Sequence, residues 1–232
     1  MINIEELNNN LENTDTENIL KYFVDKYGTK AVLSTSFSIE DQVIIHMLSK
    51  ISNDPEIFTL DTGRLPYETY NLIDKTREHY NIKIDVYFPD YRMVEEMVKE
   101  KGVNLFYDSV ENRKRCCNVR KVEPLKRALR EKEVWITGLR KEQSVTRENL
   151  NIVEYDSGYE IIKVNPLLNW TEKQIWDYIK SNNIPYNQLY KQNYRSIGCA
   201  PCTRPVKESG NIRDGRWWWE NPDSKECGLH IK

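Results

Sequence analysis

Ala31-Val32-Leu33-Ser34-Thr35-Ser36-Phe37-Ser38-Ile39-Glu40-Asp41 reads as a strand, a turn and a helix start within one short stretch. The apolar triplet predicts a buried strand. The hydroxyl-rich run after it predicts a turn, and Ser38 with Asp41 fits the S-x-x-D capping pattern. Val43, Ile44, Met47 and Leu48 then give the helix its apolar face.

The same alternation recurs downstream. Ile57-Phe58-Thr59-Leu60 predicts a second strand running into the loop Asp61-Thr62-Gly63-Arg64, and Pro66 opens a helix to about Tyr80. Ile84-Asp85-Val86-Tyr87-Phe88 predicts a third strand, followed by a helix from about Met93 to Lys101 that Gly102 stops. Residues 119–131 read as helical, and Val134-Trp135-Ile136-Thr137-Gly138 as a fourth strand. Strands separated by helices of this length predict parallel βαβ units with right-handed crossovers, hence an α/β fold.

The flanks follow other patterns. Residues 1–28 read as one or two amphipathic helices, with Ile19, Leu20, Phe23 and Tyr27 at helical spacing and Gly28 as a stop. Residues 151–155 and 159–164 suggest a hairpin about Asp156-Ser157-Gly158, and Thr171-Glu172-Lys173-Gln174 is a capping box. From Ile184 onward Pro, Gly, Asn and charges dominate. The expected organisation is a helical segment over 1–28, an α/β domain over 29–203 and a C-terminal tail over 204–232.

Composition narrows the function. At 232 residues the chain can bury a sizeable core. Charged residues make up 30%, with formal net charge −2 and pI about 6.0, which excludes a general binder of nucleic acid or membrane surfaces. An anionic substrate would therefore need a local basic cluster. Met1-Ile2-Asn3-Ile4-Glu5-Glu6 is acidic and lacks an apolar core, so no secretory leader is expected, and no apolar run reaches the roughly 18 residues of a membrane span. Five cysteines, grouped as an adjacent pair, a C-x-x-C and one alone, do not form a secreted disulfide pattern, so the cytoplasm is expected.

Chemistry concentrates in a few places. A strand leading through a hydroxyl-rich turn into a helix, as at Ser34–Asp41, is either a phosphate or sulfate cradle or an ordinary capped turn, and Glu40 and Asp41 would compete with a bound anion. Cys199 and Cys202 lie in the turn Ser196-Ile197-Gly198-Cys199-Ala200-Pro201-Cys202-Thr203, and Cys116 and Cys117 could complete a four-thiolate site. Structural zinc and an iron–sulfur cluster both remain open. Adjacent cysteines suit the larger body of a cluster, whose irons each meet their own thiolate. Arg113, Lys114, Arg115, Arg120 and Lys121 flank one pair, while Arg204, Arg213 and Arg216 follow the other. Such cations would balance a thiolate cluster or an anionic substrate. Cys227 is left without a partner cysteine, beside Gly228 and near His230, which could favour its thiolate. A lone thiol there is otherwise incidental.

Six stretches together resemble adenylyl-sulfate (APS) reductase, the iron–sulfur branch of the phosphoadenylyl-sulfate (PAPS) reductase family. They are Leu60-Asp61-Thr62-Gly63-Arg64-Leu65-Pro66, Cys116–Leu125, Thr137–Ser144, Ser196–Thr203 and the C-terminal Gly215–Glu220 with Glu226–His230. The resemblance spans roughly residues 30–230, in the family's order. It implies an adenine-nucleotide α-hydrolase-like fold with a mostly parallel five-stranded sheet flanked by helices and a flexible C-terminal tail. It implies a [4Fe–4S] cluster on Cys116, Cys117, Cys199 and Cys202, with Cys227 as nucleophile. The cluster-free PAPS branch lacks those four cysteines, so APS is the expected substrate, with PAPS or dual use as the alternative. One departure is Ser38, where the family commonly carries Gly after Ser-Phe.

The implied mechanism places phosphosulfate near Ser36, Ser38 and Thr62 and adenine near Leu60. Lys121, Arg140, Arg213 and Arg216 would surround the phosphosulfate, with His230 brought in by the tail. Cys227 attacks sulfur, AMP leaves, and thioredoxin or glutaredoxin releases sulfite from the S-sulfocysteine. No nucleic acid or membrane partner is expected, and a homo-oligomer is compatible with the pattern. The rival from another class is a non-catalytic iron–sulfur or zinc redox sensor, which would bind nucleotide without turnover.

Overall fold

A computed structural model of the chain describes residues 3–143, 149–207 and 211–221. It opens with α1 (Ile4–Leu11) and α2 (Thr16–Tyr27), whose N-caps Asn3 and Asp15 accept from the Glu6 and Asn18 amides. β1 (Ala31–Thr35) leads into α3 (Ile39–Ile51), where Ser38 and Asp41 close the capping box their spacing predicts. β2 (Ile57–Leu60), α4 (Tyr67–Tyr80), β3 (Asp85–Tyr87) and α5 (Tyr91–Lys101) follow. α6 (Val110–Cys117), which the sequence pattern does not reveal, runs through a π-helical turn (Asn118–Val122) into α7 (Glu123–Leu129). β4 (Val134–Ile136), β5 (Val153–Asp156), β6 (Ile161–Val164) and α8 (Glu172–Ser181) complete the regular elements.

The sheet has six strands in the order β3-β2-β1-β4-β6-β5, against the five expected. The hairpin is the reason. β6 docks parallel on β4, with Trp135 opposite Lys163, and carries β5 antiparallel on its far side. A turn signal predicts that two strands pair with each other but not which sheet they extend.

Contacts divide the chain into two compact units. The first comprises Met1–Phe58, Glu68–Asp85 and Glu131–Asn187; the second comprises Thr59–Tyr67, Val86–Arg130 and Gln188–Lys232. In the first, Leu33, Val43, Ile44, Ile45, Val134 and Val164 are fully buried. Each such side chain contributes about 1.5–3 kcal/mol, which fixes α3 against the sheet and with it the turn at its N-terminus. Strand order reverses between β1 and β4, which pair in parallel, so their carboxyl ends form the crevice where open α/β sheets hold ligands. In the second unit the core contains Met97, Leu105, Phe106, Cys116, Cys117, Val119, Cys202 and Trp217.

Candidate functional site

At the crevice of the first unit, the turn after β1 is closed upon itself. The Ser36 N–H and hydroxyl both donate to Asp41 Oδ2, at 2.7 and 2.9 Å, and the Ser38 N–H adds a longer contact of 3.4 Å. Phe37 is buried at a φ of 60° and held by its N–H to Thr35 Oγ1 at 2.9 Å. A bulky residue keeps such left-handed strain only where its surroundings over-determine it. Ser38 has an ordinary φ of −65°, so serine in place of the family's usual glycine introduces no backbone strain. Burial pushes the Asp41 carboxyl up to about 6, against the opposing Ser36 hydrogen bonds.

The loop after β4 presses on the same helix turn. A side chain at Gly138 would collide with the Asp41 carboxylate, so only glycine permits this approach. Arg140 is 1% exposed, and its Nε and Nη2 each lie 2.8 Å from Glu40 Oε1. Its Nη1 donates to Glu142 Oε2 at 3.1 Å and to the Trp170 carbonyl at 3.2 Å. Arg140, expected at a phosphosulfate, is thus bound by carboxylates and offsets Glu40 in the first turn of α3.

In the second unit, Cys116, Cys117 and Cys202 belong to one buried core, and Cys199, partly buried, packs against it. Cys116 and Cys117 end α6, immediately before the π turn that carries Arg120 and Lys121. Such π turns occur often at functional sites because they re-aim side chains within a helix. Cys199 and Cys202 bracket a short 3₁₀ turn whose Cys202 N–H donates to the Cys199 carbonyl at 2.9 Å. The Ala200 N–H anchors that turn to the Arg64 carbonyl at 2.8 Å. A side chain at Gly198 would meet the Arg216 guanidinium, which would have to move aside. Thr62, fully buried, places its hydroxyl 3.2 Å from Cys199 Sγ, and its carbonyl accepts from Arg120 Nη1 at 2.7 Å.

Electrostatics divide these thiols. Burial, reinforced by Cys199 and Cys117, pushes the Cys202 thiol up to about 12, and burial also raises Cys116. Burial acts upward on Cys199 too, but Lys121, the Thr62 hydroxyl, Arg216 and Arg120 together bring it below the ordinary thiol range. The pocket also holds donors without acceptors. Arg120 Nε, Arg216 Nε, Trp217 Nε1 and Trp219 Nε1 are buried with no hydrogen-bond partner among the described residues. Trp217 is a second strained aromatic residue, at a φ of 41°. No three His, Cys, Asp or Glu side chains among the described residues converge as a site for one metal ion.

Of the residues singled out from sequence, Thr62, Lys121, Arg216 and the four cysteines come together in the second unit. Leu60 ends β2, and Arg213 lies over the Trp217 ring at 6.0 Å. Ser36, Ser38 and Arg140 meet at the α3 N-terminus in the first unit. Cys227 and His230 lie outside the described residues. Sequence reasoning missed two buried ion pairs, Arg140 with Glu40 and Arg113 with Glu220. Their partners stand too far apart in the chain for any local spacing to pair them.

Comparison with known proteins follows this geometry. The phosphoadenosine phosphosulfate reductase domain family matches residues 30–205. The adenosine 5'-phosphosulfate reductase of Allochromatium vinosum is 49% identical over 199 residues, covering 86% of this chain and 78% of the relative. The enzyme of the same name from Pseudomonas aeruginosa is 44% identical over 230 residues, covering 97% of this chain and 85% of its own. Among solved structures, phosphoadenylyl-sulfate reductase from Candida auris in a phosphate complex aligns with a TM-score of 0.74 at 30% identity, over 88% of this chain and 96% of that one. The FMN adenylyltransferase of Candida glabrata shares the fold alone, with a TM-score of 0.57 at 17% identity over 91% of this chain and 76% of that one.

Proposed function

The chain belongs to the phosphoadenosine phosphosulfate reductase family, and on that premise we propose that it reduces adenosine 5'-phosphosulfate to sulfite and AMP in assimilatory sulfate reduction, leading to cysteine biosynthesis. The observation that carries this reading is the second unit's pocket, where three cysteines share a buried core, Cys199 packs against it, and cationic and indole N–H groups lie beside them. Relatives named for the same reaction cover most of the chain.

The donor set suits a [4Fe–4S] cluster on Cys116, Cys117, Cys199 and Cys202. Thiols raised by burial need compensating positive charge before they ionise, and a metal centre supplies it. The unpartnered N–H groups of Arg120, Arg216, Trp217 and Trp219 suit the sulfur-rich anion such a centre presents. Zinc requires four sulfurs about 2.3 Å from one point, whereas a cluster lets each thiolate meet its own iron. When bound, the cluster supplies fixed charge and a rigid frame, and no electron passes through it in this scheme.

The chemistry belongs to Cys227. Its thiolate attacks the sulfate sulfur of APS, an S–S bond forms, the S–O bond to phosphate breaks and AMP departs with the electron pair. A dithiol, thioredoxin or glutaredoxin, then attacks the Cys227 sulfur and releases sulfite; closing its own disulfide restores the Cys227 thiol and supplies the two electrons of the net reduction. Lys121, Arg213 and Arg216 neutralise the approach of one anion to another, with His230 contributed by the tail. In the first unit Ser36, Ser38 and Arg140 shape the turn at the α3 N-terminus, and in the second unit Leu60 and Thr62 are the further residues assigned to the substrate. Among the described residues no helix is long and apolar enough to cross a membrane. A cytoplasmic location is part of this proposal because the dithiol reductants it needs work in a reducing compartment.

The test is sulfite release from APS and PAPS in parallel, using anaerobically purified protein. We expect turnover of APS with thioredoxin, and Cys227→Ser to bind APS without forming a covalent sulfo-adduct by mass spectrometry. An adduct in that variant assigns the nucleophile elsewhere. Nucleotide binding with no sulfite from either substrate makes the protein a sensor.

A further inference from the structure

Arg113 is absent from the chemistry above, yet it is among the most completely buried residues of the protein, at 0% exposure. Its fork grips Glu220, with Nε to Oε1 at 2.9 Å and Nη2 to Oε2 at 2.8 Å, and Glu220's side chain is itself 3% exposed. The guanidinium also lies 4.6 Å from the Trp217 ring centroid and donates to the Cys117 sulfur. Arg113 and Cys117 sit one turn apart on α6, so one helix face presents both. From Glu220 the contacts return to the other cysteine pair: the Glu220 N–H donates to the Trp217 carbonyl at 2.9 Å, and the Trp217 N–H to the Cys202 carbonyl at 3.2 Å. Cys117, Arg113, Glu220, Trp217 and Cys202 thus form a continuous chain of contacts joining one cysteine from each pair.

A guanidinium is a rigid plane with donors at fixed angles, so Arg113 cannot serve Cys117 and Glu220 independently. We propose that Arg113 is a positioning residue that couples the cysteine pairs to the segment 211–221 through Glu220, so that retaining the cluster and retaining this segment's fold are one event. The proposal rests on the reading that the four thiols hold an iron–sulfur cluster. Partners beyond the metal's own ligands commonly change metal retention by about 10–100-fold, which sets the effect sought.

The experiment uses the full chain, anaerobically reconstituted, with and without iron. Limited trypsin cleavage after Arg213 and Arg216 is followed by mass spectrometry, with cleavage after Lys21 in α2 as reference, and iron loss to a chelator is timed separately. In the loaded wild type, cleavage in 211–221 is slow, and stripping the iron accelerates it about tenfold without changing the Lys21 reference. Glu220→Gln, of the same shape but without the charge, brings the loaded protein to the stripped cleavage rate and speeds iron loss about tenfold. Arg113→Lys keeps the charge, loses the fork and behaves alike; if it fails to fold, Glu220→Gln still decides. The coupling is overturned if stripping iron leaves cleavage in 211–221 unchanged, if the Lys21 reference accelerates equally, or if Glu220→Gln retains wild-type cleavage and iron loss. A wild type that takes up no iron overturns instead the reading on which the coupling rests.

Discussion

The turn after β1 and the pocket around Cys199 are both polar, both buried and both kept in place by strained aromatic residues, Phe37 and Trp217. They differ in completeness. In the turn, Ser36 is paired with Asp41, and Arg140 with Glu40, Glu142 and a carbonyl. In the pocket, burial raises the Cys116 and Cys202 thiols while four N–H groups face no acceptor among the described residues. A finished network reports architecture. An unfinished one, with donors gathered round potential anions, reports where something else binds, because buried polar groups are otherwise almost always paired.

The sharpest way to break this contrast is to unfinish the turn. Arg140→Gln leaves the Glu40 carboxylate buried and unpaired and should destabilise the fold by about 3–5 kcal/mol in urea denaturation. Adding Glu40→Gln should recover much of that loss; no recovery would mean that the guanidinium acts through packing instead. On the other side, Lys121→Ala should lower turnover about a hundredfold, the scale of one donor at developing charge, while iron content stays near wild type. Iron loss in that variant would make Lys121 part of the pocket's construction.

A smaller effect follows from Asp41. Its folded pKa of about 6 lies above the unfolded carboxylate value of 3.8, so the folded state binds the proton more tightly. The associated stability is present below about pH 4 and is lost as pH rises through 6, by at most about 3 kcal/mol. Asp41→Asn should flatten that window in urea midpoints measured across pH; an unchanged slope would assign it to another group.

Much of this was legible beforehand. The strand–turn–helix at Ala31–Asp41, the capping boxes at Ser38 and Thr171 and the alternation of strands and helices all follow from local spacing, and all are present. The cysteine pairs could be named because thiols in such groupings have few other uses. The sixth strand was not legible as part of the sheet, since strand pairing across β4 and β6 depends on contacts distant in sequence. Nor was the company kept by Arg140. An arginine after a strand looks identical in sequence whether it awaits an anion or already holds Glu40.

The amino-acid sequence by itself determined the α/β class and the capped starts of α3 and α8, because propensity and capping act over a few residues. Tertiary structure alone decided which charges are already neutralised and which donors remain open, and it alone brought Arg113 to Glu220 across the chain. The reason is physical: a charge becomes decisive only once burial has removed the water that would otherwise satisfy it, and burial belongs to the fold as a whole.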